Sequence, residues 1–245
     1  MRLLTFRLSG NFAAFRDPSV TSNQTVYYIP SKSALIGLIG AVLGIERSNS
    51  LDEIYGLQYL DLFSVTHIGI KFESIPKKVI LYTNHRSLKE AKTKPFKTEL
   101  LESPKYTIFI QTANNYFDDL QASIKNNDFV YTPYLGHAYC PAIINNLQIY
   151  NDVEEIMEPE NKKTSCVILD ESETNNDEFE LTPTEDDAKI IIERHLHHSI
   201  KDKKLERKVL KHWIPIKSSF RVEIDSVRKL SSFIKMDDDE IVCLY

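Results

Sequence analysis

Few residues in this sequence are arranged for covalent chemistry. There is no G-x-S-x-G turn, no Cys–His signature and no phosphate-binding Walker loop. Metal-independent cleavage of RNA needs only a side chain that can move the proton of a 2′-hydroxyl group. The residues that could do so are His67, His85, His137, Tyr27 and Tyr28. Their spacing neither indicates nor excludes a nuclease.

A histidine-rich segment, RHLHH, raises the question of a metal site. On a helix only His195 and His198 of this segment share a face, and no acidic or cysteine ligand stands at a supporting distance in the local sequence. Lysine and arginine residues follow it, from Lys201 to Lys211. We therefore expect a basic helix face here, and neither a metal ion nor another cofactor.

Arg16 lies in the segment FAAFRDP, with two phenylalanines before it and a proline after it. Aromatic rings can stack on bases, and a fixed guanidinium can pair with a phosphate. On composition alone, a surface arginine beside two core phenylalanines is the simpler interpretation.

Charge is unevenly distributed along the chain. Residues 1–110 carry a net charge of +5 and residues 111–245 a net charge of −10, which together give the formal −5. The segment 77–97 holds seven lysines and arginines against Glu90 alone, whereas 152–187 holds fourteen acidic residues. A basic run is usually a solvated surface, but this one lies in a long insertion between predicted strands, where it could follow a phosphate backbone.

The pattern of apolar residues and breakers predicts the elements that would position these residues. It predicts strands at 3–8, 25–29, 62–72, 79–83, 106–112, 148–156, 165–169, 220–224 and 241–244. It predicts helices at 32–45, 116–125 and 190–211. Residues 84–104 show no apolar periodicity and form an excursion. This order is typical of an α+β fold with an antiparallel sheet covered on one side by helices.

The helix predicted at 32–45 has Ser31 or Ser33 as its N-cap and an unusual content of small residues. At helical spacing, one side carries Gly37, Gly40, Ala41 and Gly44. Glycine inside a helix costs roughly 1 kcal/mol relative to alanine, so something must approach this side closely. We expect that the helix lies tightly on a sheet.

The composition indicates a soluble cytoplasmic protein. With 42% hydrophobic and 10% aromatic residues, the 245-residue chain can build a core, and no apolar stretch is long enough to cross a membrane. The cysteines are odd in number and far apart, which suits a reducing compartment. They are Cys140, Cys166 and Cys243.

Three motifs together resemble a known family. FRDP at 15–18 follows the first predicted strand, YIPSKSALIGLIGAVLGI occupies 28–45, and YTPYLGHAYCPA occupies 131–142. The combination resembles the Cas-five family, the CRISPR-associated RAMP-superfamily subunits of type I Cascade complexes. It is most similar to type I-B members.

The resemblance implies a ferredoxin-like (RRM-like) core with an antiparallel sheet and a β-hairpin thumb inserted between strands. On this interpretation residues 1–245 form a single RAMP-type domain, with the thumb at about 77–104 and an acidic loop at about 170–187. RAMP proteins often carry a glycine-rich loop near the C-terminus, and this sequence has no glycine after Gly136. The second half is therefore expected to be degenerate.

The resemblance also implies a function and a set of RNA-binding residues. Such subunits cap the 5′ handle of the crRNA and contact the last Cascade backbone subunit and the large subunit, and through the complex they reach target DNA. The positions implied here are Phe15, Arg16, Ser31, Lys32, Ser33, Arg86, Lys89, Lys92, Lys94, Phe96, Lys97, Tyr134 and His137.

Two alternatives stay open. In one subtype the relative of this protein cuts the precursor RNA itself, so a metal-independent endoribonuclease is the alternative to the favoured non-catalytic subunit. The net acidity also suits a protein-interaction module that makes no RNA contact.

Overall fold

The computed structural model describes residues 1–17, 19–20, 24–48, 54–86, 92–156, 162–170, 180–194, 196, 199–201, 204–206, 211–216, 219–223, 232–236 and 240–245. The fold is mixed α/β, and every pair of strands named below is antiparallel. No helix in these residues is both long enough and apolar enough to cross a membrane.

In the first part of the chain, strands and helices alternate. The elements are β1 (Leu3–Ser9), β2 (Phe12–Ala13), α1 (Lys32–Leu43), α2 (Leu57–Val65), β3 (His67–Ser74), β4 (Lys77–Arg86), β5 (Thr93–Glu102), β6 (Lys105–Gln111), α3 (Asn114–Asn126) and β7 (Ile143–Tyr150). Four of these strands form one sheet in the order β3-β6-β1-β7.

The second part of the chain consists of short strands. They are β8 (Glu154–Ile156), β9 (Lys163–Thr164), β10 (Ile168–Asp170), β11 (Glu180–Pro183), β12 (Lys189–Arg194), β13 (Ser199–Lys201), β14 (Lys204–Glu206), β15 (Lys211–Ile216), β16 (Phe220–Glu223), β17 (Ser232–Lys235) and β18 (Ile241–Leu244). They form small sheets of two or three strands.

The four-stranded sheet is covered on both faces. Leu4 and Phe6 of β1 belong to the main core, together with the buried residues of α1 and α3. Leu3 of β1 and Phe109 of β6 instead pack in a second cluster with residues of β17 and β18. Because neighbouring side chains on a strand point to opposite faces, the C-terminal strands cover the face away from the helices.

The predicted helix at 32–45 is confirmed, including its caps. The hydroxyl group of Ser31 accepts a hydrogen bond from the Ala34 N–H at 3.3 Å, as an N-cap does. Gly44 ends the helix in the left-handed conformation, with φ 75°, and donates its N–H to Gly40 O. The helix predicted at 116–125 is also confirmed, as α3.

β4 and β5 form a long antiparallel hairpin, in register from Lys77↔Glu102 to Arg86↔Thr93. Ile80, Leu81 and Tyr82 of β4 are exposed, whereas Thr98 of β5, opposite Leu81, is buried, as are Leu100 and Leu101 at the base of the hairpin. The strand predicted at 79–83 is confirmed. Within the excursion predicted at 84–104, residues 93–102 form β5, because cross-strand backbone pairing supports a strand without apolar periodicity.

Three local predictions are wrong. The strand predicted at 25–29 is not formed, since these residues lie outside the named helices and strands. Residues 190–211 were expected to form a helix, but β12 pairs with β15 in a ladder that includes Ile191↔Ile214. The strand predicted at 62–72 begins only at His67, and the residues before it belong to α2. The strands predicted near 220–224 and 241–244 are confirmed as β16 and β18.

The predicted acidic loop is described only in part. Within 170–187, residues 171–179 lie outside the described residues, and Glu180–Pro183 form β11, which pairs with β16.

The last residue of the chain contacts the first sheet, since Tyr245 and Ile68 of β3 exchange two backbone hydrogen bonds of 3.0 Å.

Candidate nucleic-acid interface

The three sequence motifs meet in space. Ala14 N–H donates to Leu135 O at 2.9 Å, and Tyr27 N–H donates to Phe15 O at 2.8 Å. Gly136 has φ +81°, and a Cβ atom at this position would clash with the carbonyl group of Ala14. Only glycine therefore permits this contact between the FRDP and PYLG segments.

A small cleft of about 130 Å³ opens where the motifs meet, and we call it the Arg16 cleft. Arg16 is exposed and its backbone pairs with that of Val26. The cleft is lined by Ala14, Phe15, Arg16, Tyr27, Ser31, Ala34 and Gly136. An exposed guanidinium on a backbone held in this way can pair with a phosphate in a fixed orientation.

A larger cleft of about 500 Å³ adjoins it, since Ala34 and Gly136 line both. We call it the tyrosine cleft. It is lined by Ser33, Ala34, Gly37, Leu38, Ala41, Ile45, Glu46, Arg47, Tyr55, Tyr59, Tyr131, Thr132, Tyr134 and Gly136. The small residues of one face of α1 form one wall of the cleft, and tyrosines from two other segments of the chain form the other walls.

The tyrosines give the cleft aromatic surfaces with a polar rim. The rings of Tyr55 and Tyr59 stack at 5.4 Å, and the guanidinium of Arg47 lies 5.4 Å from the centre of the Tyr55 ring. Burial is the main cause that raises the pKa of Tyr59, so its hydroxyl group stays neutral, and it donates to Ser33 O at 3.3 Å. Tyr131 donates its hydroxyl group to Glu46 at 3.2 Å. Tyr55 and Tyr59 are each only 4% exposed and belong to the main core, so the rings open to the cleft are those of Tyr131 and Tyr134, both 48% exposed. Exposed rings of this kind suit the stacking of unpaired bases.

The glycines of α1 do not serve close packing on a sheet, so that expectation is wrong. Gly37 is exposed in the tyrosine cleft, and among the described residues no atom lies within 4 Å of where its Cβ would be. A Cβ at Gly40 would approach Ile45 O to 2.9 Å, and Gly44 is the C-cap. The space above Gly37 is left open to solvent.

Several of the predicted site residues lie at or near the two clefts. Ser31 and Ser33 lie at the start of α1, with their hydroxyl groups 3.0 Å apart. Tyr134 is exposed at the tyrosine cleft. His137 is also exposed and stacks on Tyr139, with ring centroids 4.0 Å apart.

Two predicted residues are buried and do not present their side chains to solvent. Phe15 is only 6% exposed and packs near the ring of Tyr106. Lys32 is 8% exposed, and its ammonium group lies 5.3 Å from the centre of the Phe63 ring. Burial lowers the pKa of Lys32 to about 8. Their contribution to a nucleic-acid interface would therefore be indirect.

The remaining predicted residues belong to the hairpin segment. Arg86, Lys92 and Lys94 are exposed, whereas Phe96 and Lys97 are half-buried. Lys89 lies outside the described residues. The middle of β5 adjoins the segment that contains Gln24, because Gln24 N–H donates to Lys97 O at 3.2 Å and Gln24 O accepts from Glu99 N–H at 2.8 Å.

Comparison with known proteins identifies the family. The family model described as CRISPR-associated protein (Cas_Cas5) matches residues 3–228. The chain belongs to this family. No curated protein matches this Cas5-family chain closely enough to be reported.

Solved structures share the fold of this Cas5-family chain. A crystal structure of a CRISPR protein from Archaeoglobus fulgidus is similar over 99% of this chain and 98% of its own, with TM-score 0.54 and 12% identity. A chain of a CRISPR RNA-guided surveillance complex is similar over 90% of both chains, with TM-score 0.50 and 14% identity. A crystal structure of a Cas protein aligns with only 57% of this chain and 59% of its own, with 17% identity and a TM-score of 0.38, which is too low to indicate a shared fold.

Sequence reasoning missed five residues that line the tyrosine cleft of this Cas5-family chain. They are Gly37, Arg47, Tyr55, Tyr59 and Tyr131. The spacing of small residues on α1 signals an open face, but it was interpreted as a packing surface. Tyr131 begins the third motif and could have been included. Tyr59 carries no signal of its own because α2 is not evident from the sequence, and Tyr55 lies just before that helix.

The residues considered for metal binding or proton transfer have the following places in the structure. Among the described residues, no group of three histidine, cysteine or acidic side chains could hold a metal ion. His67 is half-buried at the start of β3, where burial, followed by the charge of Lys32, lowers its pKa. The side chain of His85 lies outside the described part of the chain. Tyr27 is buried and donates its hydroxyl group to Asp17 at 2.9 Å.

Proposed function

We propose that this chain is a non-catalytic RNA-binding subunit of a CRISPR effector complex and that it holds the 5′ handle of the guide RNA. The observation that supports this most strongly is the meeting of three separate motifs at two adjoining clefts, one with an exposed arginine and one with tyrosine walls. A guanidinium suits a phosphate, and aromatic walls suit an unstacked base. Membership of the family, and the fold shared with a chain of a surveillance complex, support the assignment to an effector complex.

The order of elements supports a ferredoxin-like core for this function. β1, β3, β6 and β7 with α1 and α3 give a β-α-β-β-α-β order, and the sheet order β3-β6-β1-β7 is the one that such a fold requires. In chain order, the β4–β5 hairpin is inserted between β3 and β6, which is where the family resemblance implies a thumb. We assign residues 1–245 to one RAMP-type domain with this hairpin as the thumb and a degenerate second half.

The two clefts and the hairpin would bind different parts of the RNA. The Arg16 cleft would take a phosphate, and the tyrosine cleft an adjoining base turned out of the stack. Exposed basic residues of the hairpin would follow the backbone as point charges (Arg86, Lys92 and Lys94).

The acidic residues of 152–187 are proposed to face away from RNA. Fourteen acidic residues in this segment would oppose phosphates at any salt concentration. They would instead meet a basic surface of a partner in the complex. The partners proposed are the backbone subunit and the large subunit, in the cytoplasm, with target DNA reached through the complex.

Co-expression with the neighbouring operon products, followed by sequencing of any RNA that co-purifies with the chain, tests the proposal. We expect guide RNAs with a common repeat-derived 5′ end. A complex that assembles without RNA, with no excess absorbance at 260 nm, would favour the protein-interaction module instead.

Absence of catalysis is tested separately with purified protein and a precursor repeat hairpin in a chelating buffer. We expect the RNA to stay intact. Cleavage at the base of the hairpin that is lost on changing His67, His85 or His137 to alanine would establish the endoribonuclease.

A further inference from the structure

Side chains from three different strands fix the backbone of residues 26–29. The ammonium group of Lys78 on β4 donates to Val26 O, the hydroxyl group of Tyr106 on β6 donates to Tyr28 O, and Glu193 on β12 accepts from Tyr28 N–H, each at 2.6 Å. The segment lies outside the named helices and strands. Because its backbone polar groups are largely shielded from water, side chains must satisfy those that no neighbouring strand pairs.

The 26–29 segment in turn positions both parts of the proposed RNA site. Tyr27 N–H donates to Phe15 O, and Val26 pairs with Arg16, so the segment sets the backbone of Arg16. Two residues beyond it, Ser31 caps α1 and so fixes where the helix begins. A displacement of 26–29 would therefore move the Arg16 cleft and the α1 side of the tyrosine cleft together.

Glu193 is the member of this set that comes from the C-terminal half, and its environment is unfavourable for a carboxylate. It is 9% exposed, and within the described residues its second oxygen, Oε2, has no hydrogen-bond partner. Burial is the main cause that raises its pKa, to about 7, while hydrogen bonds from Tyr28 and Ile29 N–H and the charge of Lys78 act in the opposite direction. The negative charge of Asp17 acts in the same direction as burial and also raises the pKa of Glu193.

The other groups around it do not neutralise this carboxyl group directly. Lys78 is shared with Glu99 on β5, at 3.4 Å, and with the ring of Tyr28, at 4.5 Å. Tyr106 is fully buried and directs its hydroxyl group to Tyr28 O. A buried, half-satisfied acid is costly for stability, which indicates that this position serves another purpose.

We propose that Glu193 is a positioning residue for RNA binding, and that its carboxyl oxygen holds the 26–29 segment in the conformation that presents Arg16 and the start of α1. The inference rests on the proposed function for its RNA readout. It gives the C-terminal strands a part in the RNA site through the 26–29 segment, although none of their described residues lines either cleft.

Two substitutions separate the positioning role from a purely structural one. Glu193→Gln keeps an acceptor oxygen at the same place and removes the charge. Glu193→Met has a similar length and suits a buried site, but it provides no acceptor for Tyr28 N–H. Glu185→Met, at an exposed position on the preceding turn, is the matched control.

The first measurement needs no RNA. Hydrogen exchange of the Tyr28 and Ile29 amides is followed in the full chain at pH 8, together with the midpoint of urea unfolding. We expect Glu193→Gln and Glu185→Met to keep at least the protection of wild type, and Glu193→Met to lose it about tenfold or more without any fall in the unfolding midpoint. Unchanged protection in Glu193→Met would overturn the proposal, and so would a loss of protection equal to the loss at the core amides.

The second measurement is the affinity for a synthetic RNA that carries the repeat-derived 5′ end. We expect wild type, Glu193→Gln and Glu185→Met to agree within about twofold, and Glu193→Met to bind about tenfold more weakly. Equal binding by Glu193→Met would overturn the positioning role. If wild-type protein bound no RNA, the proposed function would fail and the RNA part of this inference with it, whereas the hydrogen-exchange result would still decide whether Glu193 holds the segment.

Discussion

At the scale of single residues, Arg16 and the hairpin lysines differ in how firmly the backbone holds them. Arg16 pairs with Val26, and Asp17 N–H donates to Thr25 O at 2.9 Å on its other side. Lys92 and Lys94 stand exposed on the projecting hairpin. A planar guanidinium in a fixed position can bind a phosphate through two hydrogen bonds, and an ammonium group cannot reproduce that geometry.

We therefore expect Arg16→Lys to weaken binding of the 5′ handle RNA almost as much as Arg16→Ala. The loss should be about 1–3 kcal/mol, the scale of a good specific contact. The measurement is RNA affinity at fixed salt for both variants, each confirmed to be folded by circular dichroism. Wild-type affinity of Arg16→Lys would mean that Arg16 is only a surface charge and that the Arg16 cleft is not the phosphate site.

A different result is expected for Lys94→Ala. The loss of one point charge on the phosphate backbone should cost less affinity and should lower the salt slope of binding by about one unit. A titration between low and physiological salt measures this slope, with Lys125→Ala on α3 as the exposed control that should not change it. An unchanged slope for Lys94→Ala would remove this lysine from the RNA path.

At the scale of elements, the sequence predicts α1 and its caps well because the signals are local. Ser31, Gly44 and the run of apolar residues between them determine where the helix begins and ends without reference to the rest of the chain. Arg16 and the PYLG turn were identified by motif. Their meeting could not be predicted, because it depends on the left-handed Gly136 and on long-range hydrogen bonds.

The errors at this scale had consequences for the site. Interpreting the residues before His67 as part of a strand hid α2, and with it the position of Tyr59 as a wall of the cleft. Interpreting 190–211 as a helix hid the register of β12, which places Glu193 beneath Tyr28. In the second case, strand pairing between distant segments outweighs local propensity. In the first case, a β-rich run forms the last turn of a helix.

The buried position of Glu193 on β12 has a measurable effect on stability. Its pKa is raised from 4.5 to about 7 in the folded chain, so the protonated form is favoured by folding. The stability that this group contributes is present below about pH 4.5 and is lost as pH rises through about 7. The difference of 2.5 pKa units corresponds to about 3 kcal/mol.

Glu193→Gln should therefore gain in free energy of unfolding relative to wild type as pH rises from 5 to 8, by up to about 3 kcal/mol. Urea unfolding of both proteins at each pH measures this difference. Glu185→Gln, at an exposed position, serves as the control. A difference that does not change with pH would contradict the buried, charge-sensitive environment described for Glu193.

At the scale of the whole molecule, basic and acidic residues lie in different parts of the chain, and different elements cover the two faces of the first sheet. The basic hairpin and the two clefts belong to the N-terminal part, and the acidic excess belongs to the C-terminal part. The C-terminal strands cover the face of the first sheet that lies away from α1 and α3. This division would leave one side for RNA and another for partner subunits.

Neutralising the acidic stretch should affect assembly but not RNA binding. We expect replacement of Glu171, Glu173, Asp177 and Glu178 by glutamine or asparagine to leave RNA affinity within about twofold, because the proposal has this stretch face away from the RNA, where salt would screen its charges. Pull-down of the partner subunits at low salt should weaken. Loss of RNA binding by a folded variant would show that this segment lies at the RNA and not at a partner.

The central claim, that RNA occupies the joined clefts, is tested most directly at Gly37. Among the described residues, nothing lies within 4 Å of a Cβ at this position, so a larger side chain would fill the tyrosine cleft without disturbing the core. Gly37→Ala and Gly37→Leu should both stabilise α1, by up to about 1 kcal/mol. The measurement is the affinity of each for the 5′ handle RNA. The account predicts near wild-type binding for Gly37→Ala and a loss of about tenfold or more for Gly37→Leu, and equal binding by the two variants would contradict it.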